Sequence, residues 1–142
     1  MSRIVVGVDT SEHATRALRW AVEEARLRDA TLEVVHSFPW PEVTAMPAII
    51  TMPSEEELVK AAEAVVDEAL ASVPEHGEVE VLRTVRAGGA AGVLCRVAEG
   101  ADLVVVGARG VGGFRGLLLG SVSQQVVAHA PCPAVVIGPP RP

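Results

Sequence analysis

The sequence predicts one α/β domain, a five-stranded parallel sheet in the order 3-2-1-4-5 with helices on both faces, over residues 1–142. Three observations carry this. Short Val- and Ile-rich runs alternate with longer segments whose apolar residues recur at helical spacing, the βαβ pattern of a parallel sheet. Apolar residues make up 49% of the chain and aromatics only 3%, so the core is aliphatic, as suits strands buried on both faces. At 142 residues there is enough chain for one substantial core, and no internal repeat divides it.

The elements follow in order. Arg3-Ile4-Val5-Val6-Gly7-Val8 is a β-branched run that reads as a central strand ending at Asp9. Thr10-Ser11 offers an N-cap and Glu12 an acidic first turn. Ala14, Ala17, Leu18, Ala21, Val22 and Ala25 then share one helical face, a small-residue stripe able to lie close on a sheet, with Trp20 off its centre. Thr31 to His36 is the second strand. The segment from Ser37 to Pro53 carries four prolines and is too long and too apolar for a plain connector. It either covers core or oligomer surface, or forms a flap that lays Trp40 or Met46 against a flat ring.

Ser54-x-x-Glu57 spells a capping box for a second helix, which Pro74 stops. Val79, Val81 and Val85 alternate with Glu80, Leu82 and Thr84, a third strand at or near a sheet edge. Gly88-Gly89 breaks the chain, and Ala90, Val93, Leu94, Val97 and Ala98 mark a third helix ending at Gly100. Cys95 falls in that helix as a buried free thiol. Leu103-Val104-Val105-Val106 is the fourth strand, closed by Gly107. A helix from Ser121, with Val122, Val126 and Ala130 on one side, ends before Pro131-Cys132-Pro133, and Ala134 to Ile137 is the last strand.

Right-handed crossovers make this alternation a doubly wound, Rossmann-like sheet. In such sheets ligands sit beyond the carboxyl ends of the strands, where the winding direction reverses. In the order 3-2-1-4-5 that place lies between the first and fourth strands, which end in Asp9 and Gly107. The fourth strand opens into a loop with six glycines, Gly107, Gly110, Gly112, Gly113, Gly116 and Gly120, which leads into the helix at Ser121. Glycines let backbone N–H groups approach an anion, and a helix start adds unpaired N–H groups and a positive dipole end. Arg109 and Arg115 are the cationic side chains of the loop. A Walker loop is excluded because it ends in Gly-Lys-Ser/Thr, whereas here Leu119 is followed by Gly120-Ser121 directly, and Lys60 is the only lysine. A G-x-G-x-x-G fingerprint is excluded because Arg115 stands where its third glycine belongs. The spacing present is Gly107-x2-Gly110-x9-Gly120-Ser121.

Charge and cysteine usage narrow the function further. The formal net charge of −6 argues against non-specific nucleic-acid or anionic-membrane binding. No apolar stretch reaches membrane-spanning length and no signal peptide is visible, so a cytoplasmic location is expected. Cys95 and Cys132 form no Cys-x-x-Cys, and His13, His36, His76 and His129 show no metal-ligand spacing.

The glycine spacing, Val8-Asp9-x-Ser11-Glu12 and Ala130-Pro131-Cys132-Pro133 together resemble the universal stress protein family over essentially the whole chain. The resemblance implies the ATP-binding, glycine-motif branch, with or without Mg²⁺, and a homodimer in which last strands, Ala134 to Ile137, pair. It implies that Val8 and Asp9 border adenine and ribose. Backbone at Gly107, Ala108, Arg109 and Gly110 would contact ribose and phosphates, and Gly120, Ser121, Val122 and Ser123 would hold the phosphates. Family members present an apolar residue to adenine where this chain has His36-Ser37, and some carry proline where it has Gly7.

Each role has a chemical basis. Asp9 can accept from ribose hydroxyls or the adenine amino group, or serve only its own loop. Ser121 can donate to a phosphate while capping its helix, since Ser121-x-x-Gln124 is a capping-box spelling. Arg109 can neutralise phosphate charge. Phosphoryl transfer needs a metal clamp, a positioned nucleophile and fixed cations, and the glycine loop holds no lysine and no acid to join Asp9. No Ser-His-Asp or Cys-His grouping suggests itself, so no catalytic or metal-ligating residue is assigned. The first expectation is a non-enzymatic adenine-nucleotide module of stress response or signalling, with any ATP hydrolysis slow. The others are a related adenine-nucleotide hydrolase acting at the α/β phosphate bond, and an interaction protein with a vestigial loop.

Overall fold

The computed structural model describes residues 2–39, 53–109 and 119–140. Five strands form one sheet: β1 (Arg3–Gly7), β2 (Thr31–Phe38), β3 (Val81–Ala87), β4 (Leu103–Gly107) and β5 (Ala134–Ile137). Their order is β3-β2-β1-β4-β5, and every pairing is parallel, as expected from the alternating pattern. The helices are α1 (Glu12–Arg28), α2 (Glu55–Ala71), α3 (Ala90–Val97) and α4 (Ser121–His129).

Strand alternation sorts the core into two layers. Ile4, Val6, Leu32, Val34, Leu103 and Val105 pack under α1 and α2, against Leu18, Val22, Val66 and Leu70. Val5, Val35, Val104 and Val106 point the other way, against Val93 and Leu94 of α3 and Val126 of α4. The alanine stripe of α1 is buried as read from the sequence, and Trp20 lies half-buried at the margin of that layer. Small side chains there let the helix axis approach the sheet closely.

The caps explain where the helices begin. Ser11 accepts from Ala14 N at 3.2 Å, and Ser54 accepts from Glu57 N at 3.1 Å. Each satisfies one orphan donor of a first turn. Asp29 takes up the left-handed conformation, φ 53°, at the end of α1, and its N–H reaches back to the Arg26 carbonyl.

Several boundaries differ from the sequence reading, each for a local reason. β1 stops at Gly7, one residue early, although Val8 N still donates to Val35 O at 2.9 Å. β2 runs on to Phe38, because Ser37 and Phe38 pair with Arg86 and Ala87 of β3. Pro74–Glu78, which the sequence left as connector, is a 3-10 turn, and it delays β3 to Val81. Cys95 and Cys132 are free thiols, both half-buried, so Cys95 is less enclosed than its helical pattern suggests. Burial pushes the Cys132 thiol up, which keeps it a weak nucleophile at neutral pH. No helix among the described residues is long and apolar enough to cross a membrane.

The end of the sheet opposite the carboxyl ends of the strands is tied by Arg3. Its guanidinium donates to Glu33 Oε1 at 2.7 Å, to Val97 O at 3.0 Å and to Glu99 O at 2.7 Å. Glu33 Oε2 in turn accepts from Thr84 Oγ1 at 2.6 Å. One cation thus joins β1, β2 and β3 to the end of α3.

Candidate functional site

The crevice lies where the sequence places it, at the carboxyl ends of β1 and β4. β1 pairs with β4 as Ile4↔Leu103, Val5↔Val104 and Val6↔Val105. Continuing that register sets Val8 level with Gly107 and Asp9 level with Ala108. The first crossover leaves toward one face of the sheet and the fourth toward the other, which opens the gap between them.

Ala108 organises one wall. Its N–H donates to Ile137 O of β5 at 2.9 Å. Its carbonyl accepts from Gly120 N at 2.6 Å and from Ser123 Oγ at 2.7 Å. The Ser123 hydroxyl also reaches Gly120 O at 3.1 Å, and the side chain is 2% exposed. Ser123 therefore latches the start of α4 onto the end of β4, and what it offers the crevice is its main-chain N–H.

The start of α4 differs from the spelling. Gly120, not Ser121, is the N-cap, and among the described residues no side chain caps the helix. Ser121 stands one residue inside, so the expected capping box does not form. Gln124 instead donates from Nε2 to Leu119 O at 3.0 Å. Of the four orphan N–H groups at a helix start, that of Gly120 is taken by Ala108. Those of Ser121, Val122 and Ser123 have no acceptor inside an α-helix, and they converge with the positive end of the dipole. Ser121 is exposed and Val122 half-buried against the second core layer.

Asp9 stands on the facing wall, half-buried. Its Oδ1 accepts from Ser11 N at 2.8 Å, a turn that sets the carboxylate before α1 begins. Among the described residues nothing donates to Oδ2. Val8 is 6% exposed, and its carbonyl accepts from His36 Nδ1 at 2.8 Å. Sequence reading placed His36 only at the strand end. The available signal was alternation, which sets a polar residue on the face of Leu32 and Val34, next to the end of β1.

Gly107 has a second reason to be glycine. By alternation it faces α1, and a Cβ built on it falls 2.8 Å from both the carbonyl carbon and oxygen of His13. Gly120 adopts φ −79° and ψ 176°, a conformation open to any residue, so its backbone angles do not require glycine. Arg109 is half-buried at the end of β4. Gly110, the glycines at 112, 113 and 116, Arg115, and Trp40 and Met46 of the candidate flap lie outside the described residues.

The structure therefore brings Val8, Asp9, Gly107, Ala108, Arg109 and the turn Gly120–Ser123 around one crevice. One wall offers a carboxylate acceptor. The other offers main-chain donors at the start of α4. That pairing suits a ligand with hydroxyl or amino donors at one end and an anion at the other.

The profile of the universal stress protein family matches residues 1–138. A universal stress protein of Thermus aquaticus is 38% identical over 138 residues, with 94% of this chain and 96% of that one covered. The chain spans only 47% of a Mycolicibacterium smegmatis universal stress protein to which it is 33% identical. Among solved structures, the universal stress protein of Archaeoglobus fulgidus in complex with dAMP superposes with TM-score 0.71 at 27% identity, covering 96% of this chain and 98% of that one. A universal stress protein in complex with cAMP superposes with TM-score 0.70 at 25% identity, covering 96% and 95%. Sheet order, the uncapped helix beside the end of β4, and a match along nearly its whole length lead to one conclusion: the chain belongs to the universal stress protein family.

Proposed function

We propose that the protein is a non-enzymatic adenine-nucleotide-binding module of the glycine-motif branch, with ATP as its ligand. The observation that carries this reading is the start of α4, where three main-chain N–H groups stand without a side-chain cap beside the end of β4. A buried or half-buried helix start without a capping side chain suits an external anion. Ser121, Val122 and Ser123 would hold phosphates through those groups, with Arg109 and Gly110 alongside. Asp9 would accept from the sugar hydroxyls, next to Val8. Relatives solved with dAMP and cAMP support the adenosine half of the ligand. Mg²⁺ would share the phosphate charge when present.

The test uses protein purified without added nucleotide. Denatured, it is expected to release an adenine nucleotide. After stripping, ATP at one hundred times its Kd stabilises the fold by about 2.7 kcal/mol, which raises Tm by roughly 8 °C for a chain of this length. GTP is expected to give a smaller shift. No released nucleotide, together with no shift from ATP, ADP, AMP or cyclic AMP, would overturn the reading. Release of AMP and pyrophosphate from ATP would make it an α/β-bond hydrolase instead.

Nucleotide occupancy is proposed to act on a homodimer in which β5 pairs with its copy. β5 is an edge strand, and all four of its residues are half-buried. Pro133 O and Ile137 O both bond to β4, so by strand alternation the N–H groups of Ala134 and Val136 point outward. Val136→Pro deletes an outward donor while sparing the ladder to β4. The expected result is a monomer by light scattering with an unchanged circular dichroism spectrum, where wild type is a dimer. A V136P protein that stays dimeric would move the interface elsewhere.

A further inference from the structure

We propose that His36 is a positioning residue for the crevice carboxylate: by holding the Val8 carbonyl, it sets the peptide from which Asp9 meets the sugar of a bound nucleotide. This rests on the nucleotide reading above. In the last rung between β1 and β2, Val8 N donates to Val35 O at 2.9 Å. In a parallel ladder the next rung would join Ser37 N to Val8 O. The Val8 carbonyl accepts instead from the imidazole, Nδ1 to O 2.8 Å. A carbonyl only accepts, so the proton sits on Nδ1 and the tautomer is set. β1 and β2 part at this point, and the ring spans the opening.

Val8 C=O and Asp9 N–H belong to one planar peptide. Fixing that oxygen orients the plane, and with it the Cα of Asp9. Downstream, Asp9 Oδ1 is held by Ser11 N at 2.8 Å. The carboxylate is thus gripped from both sides, by the imidazole before it and by its own turn after it. Both bonds are part-buried, so water competes with them only partly. Without His36 the Val8 carbonyl loses its partner, the peptide is released to rotate, and Asp9 loses its register with the opposite wall. Among the described residues, the phosphate end, built by α4 and β4, makes no hydrogen bond to His36.

The experiment compares ATP, 2′,3′-dideoxy-ATP and tripolyphosphate on the full chain by titration calorimetry, for wild type, His36→Phe and His36→Asn. Wild type is expected to prefer ATP over the dideoxy nucleotide by about tenfold, the worth of one charge-assisted hydrogen bond. His36→Phe keeps the ring and removes the donor, and is expected to abolish that preference while tripolyphosphate affinity stays within about twofold. Asparagine can place its amide N–H near Nδ1, so His36→Asn is expected to restore most of the preference. The inference is overturned if His36→Phe keeps the wild-type preference, or if it weakens tripolyphosphate as much as ATP, which marks a general loss of fold. It is also overturned if wild type shows no preference for the sugar hydroxyls. Wild type that binds no adenine nucleotide would instead sink the reading on which the inference rests.

Discussion

Gly107→Val is expected to destabilise the fold and abolish nucleotide binding together. The cause is the start of α1. A Cβ at position 107 lies 2.8 Å from the His13 carbonyl carbon and oxygen and 2.9 Å from its Cβ. Two of those atoms are backbone, in the first turn of a helix capped by Ser11, so they cannot swing aside as a side chain could. Overpacking of this kind costs about 1–3 kcal/mol for alanine, with valine at or above the top of that range. Relief would push α1 off the sheet, carrying Ser11 and its bond to Asp9. Gly7 provides the control. The three atoms nearest its added Cβ are Leu94 methyl and methine carbons, the closest at 2.8 Å, and that flexible tip can turn, so Gly7→Ala is expected to cost less. Urea denaturation of the Gly107→Ala and Gly7→Ala proteins separates the two cases. A Gly107→Ala midpoint at the wild-type value would refute the packing argument.

Arg3→Met is expected to be the mirror case, a loss of stability without a loss of ligand affinity. Its guanidinium holds Glu33 and two carbonyls at the end of α3, with side-chain exposures of 26% for Arg3 and 13% for Glu33. Removing one partner of a buried pair costs about 3–5 kcal/mol; the partial exposure here brings the expectation to about 2 kcal/mol. Glu33 is left with Thr84 as its donor. Replacing both, Arg3→Met with Glu33→Leu, is expected to recover part of the loss, since the stranded carboxylate is gone. The pair sits at the end of the sheet away from the crevice. ATP affinity per folded molecule should therefore stay within about twofold of wild type. Full stability in Arg3→Met, by the same urea titration, would show that water replaces the guanidinium at no cost.

These two positions also show what a sequence can and cannot convey. Layer architecture was legible because it rests on patterns along the chain, and the strand order is the common one for that alternation. The apolar run of β4, the alanine stripe of α1 and the caps at Ser11 and Ser54 each report on their own segment. Contacts between segments were not legible. Gly107 reads as an opening for an anion, and its closeness to His13 depends on where α1 lies on the sheet. Ser121 reads as a cap because serine favours that place, yet Gly120 takes it, since its N–H is drawn to Ala108 and its carbonyl to Gln124. Ser37 and Phe38 read as loop because only pairing with Arg86 and Ala87 makes them strand. In the site, Asp9 and the turn at Gly120–Ser123 were visible as motif. His36 was not assigned a role, because its part is played against a carbonyl of another strand.

The junction at Ala108 has a mechanical consequence. Its N–H belongs to the amide plane that grips the rim strand β5, and its C=O to the next plane, which grips the last helix. The angle between those planes is set by two torsions of a single residue. Rim and helix therefore share one pivot, and a rotation there tilts both at once. Since the linkage is made of main chain, replacing the methyl of Ala108 with another small group would leave the lever intact.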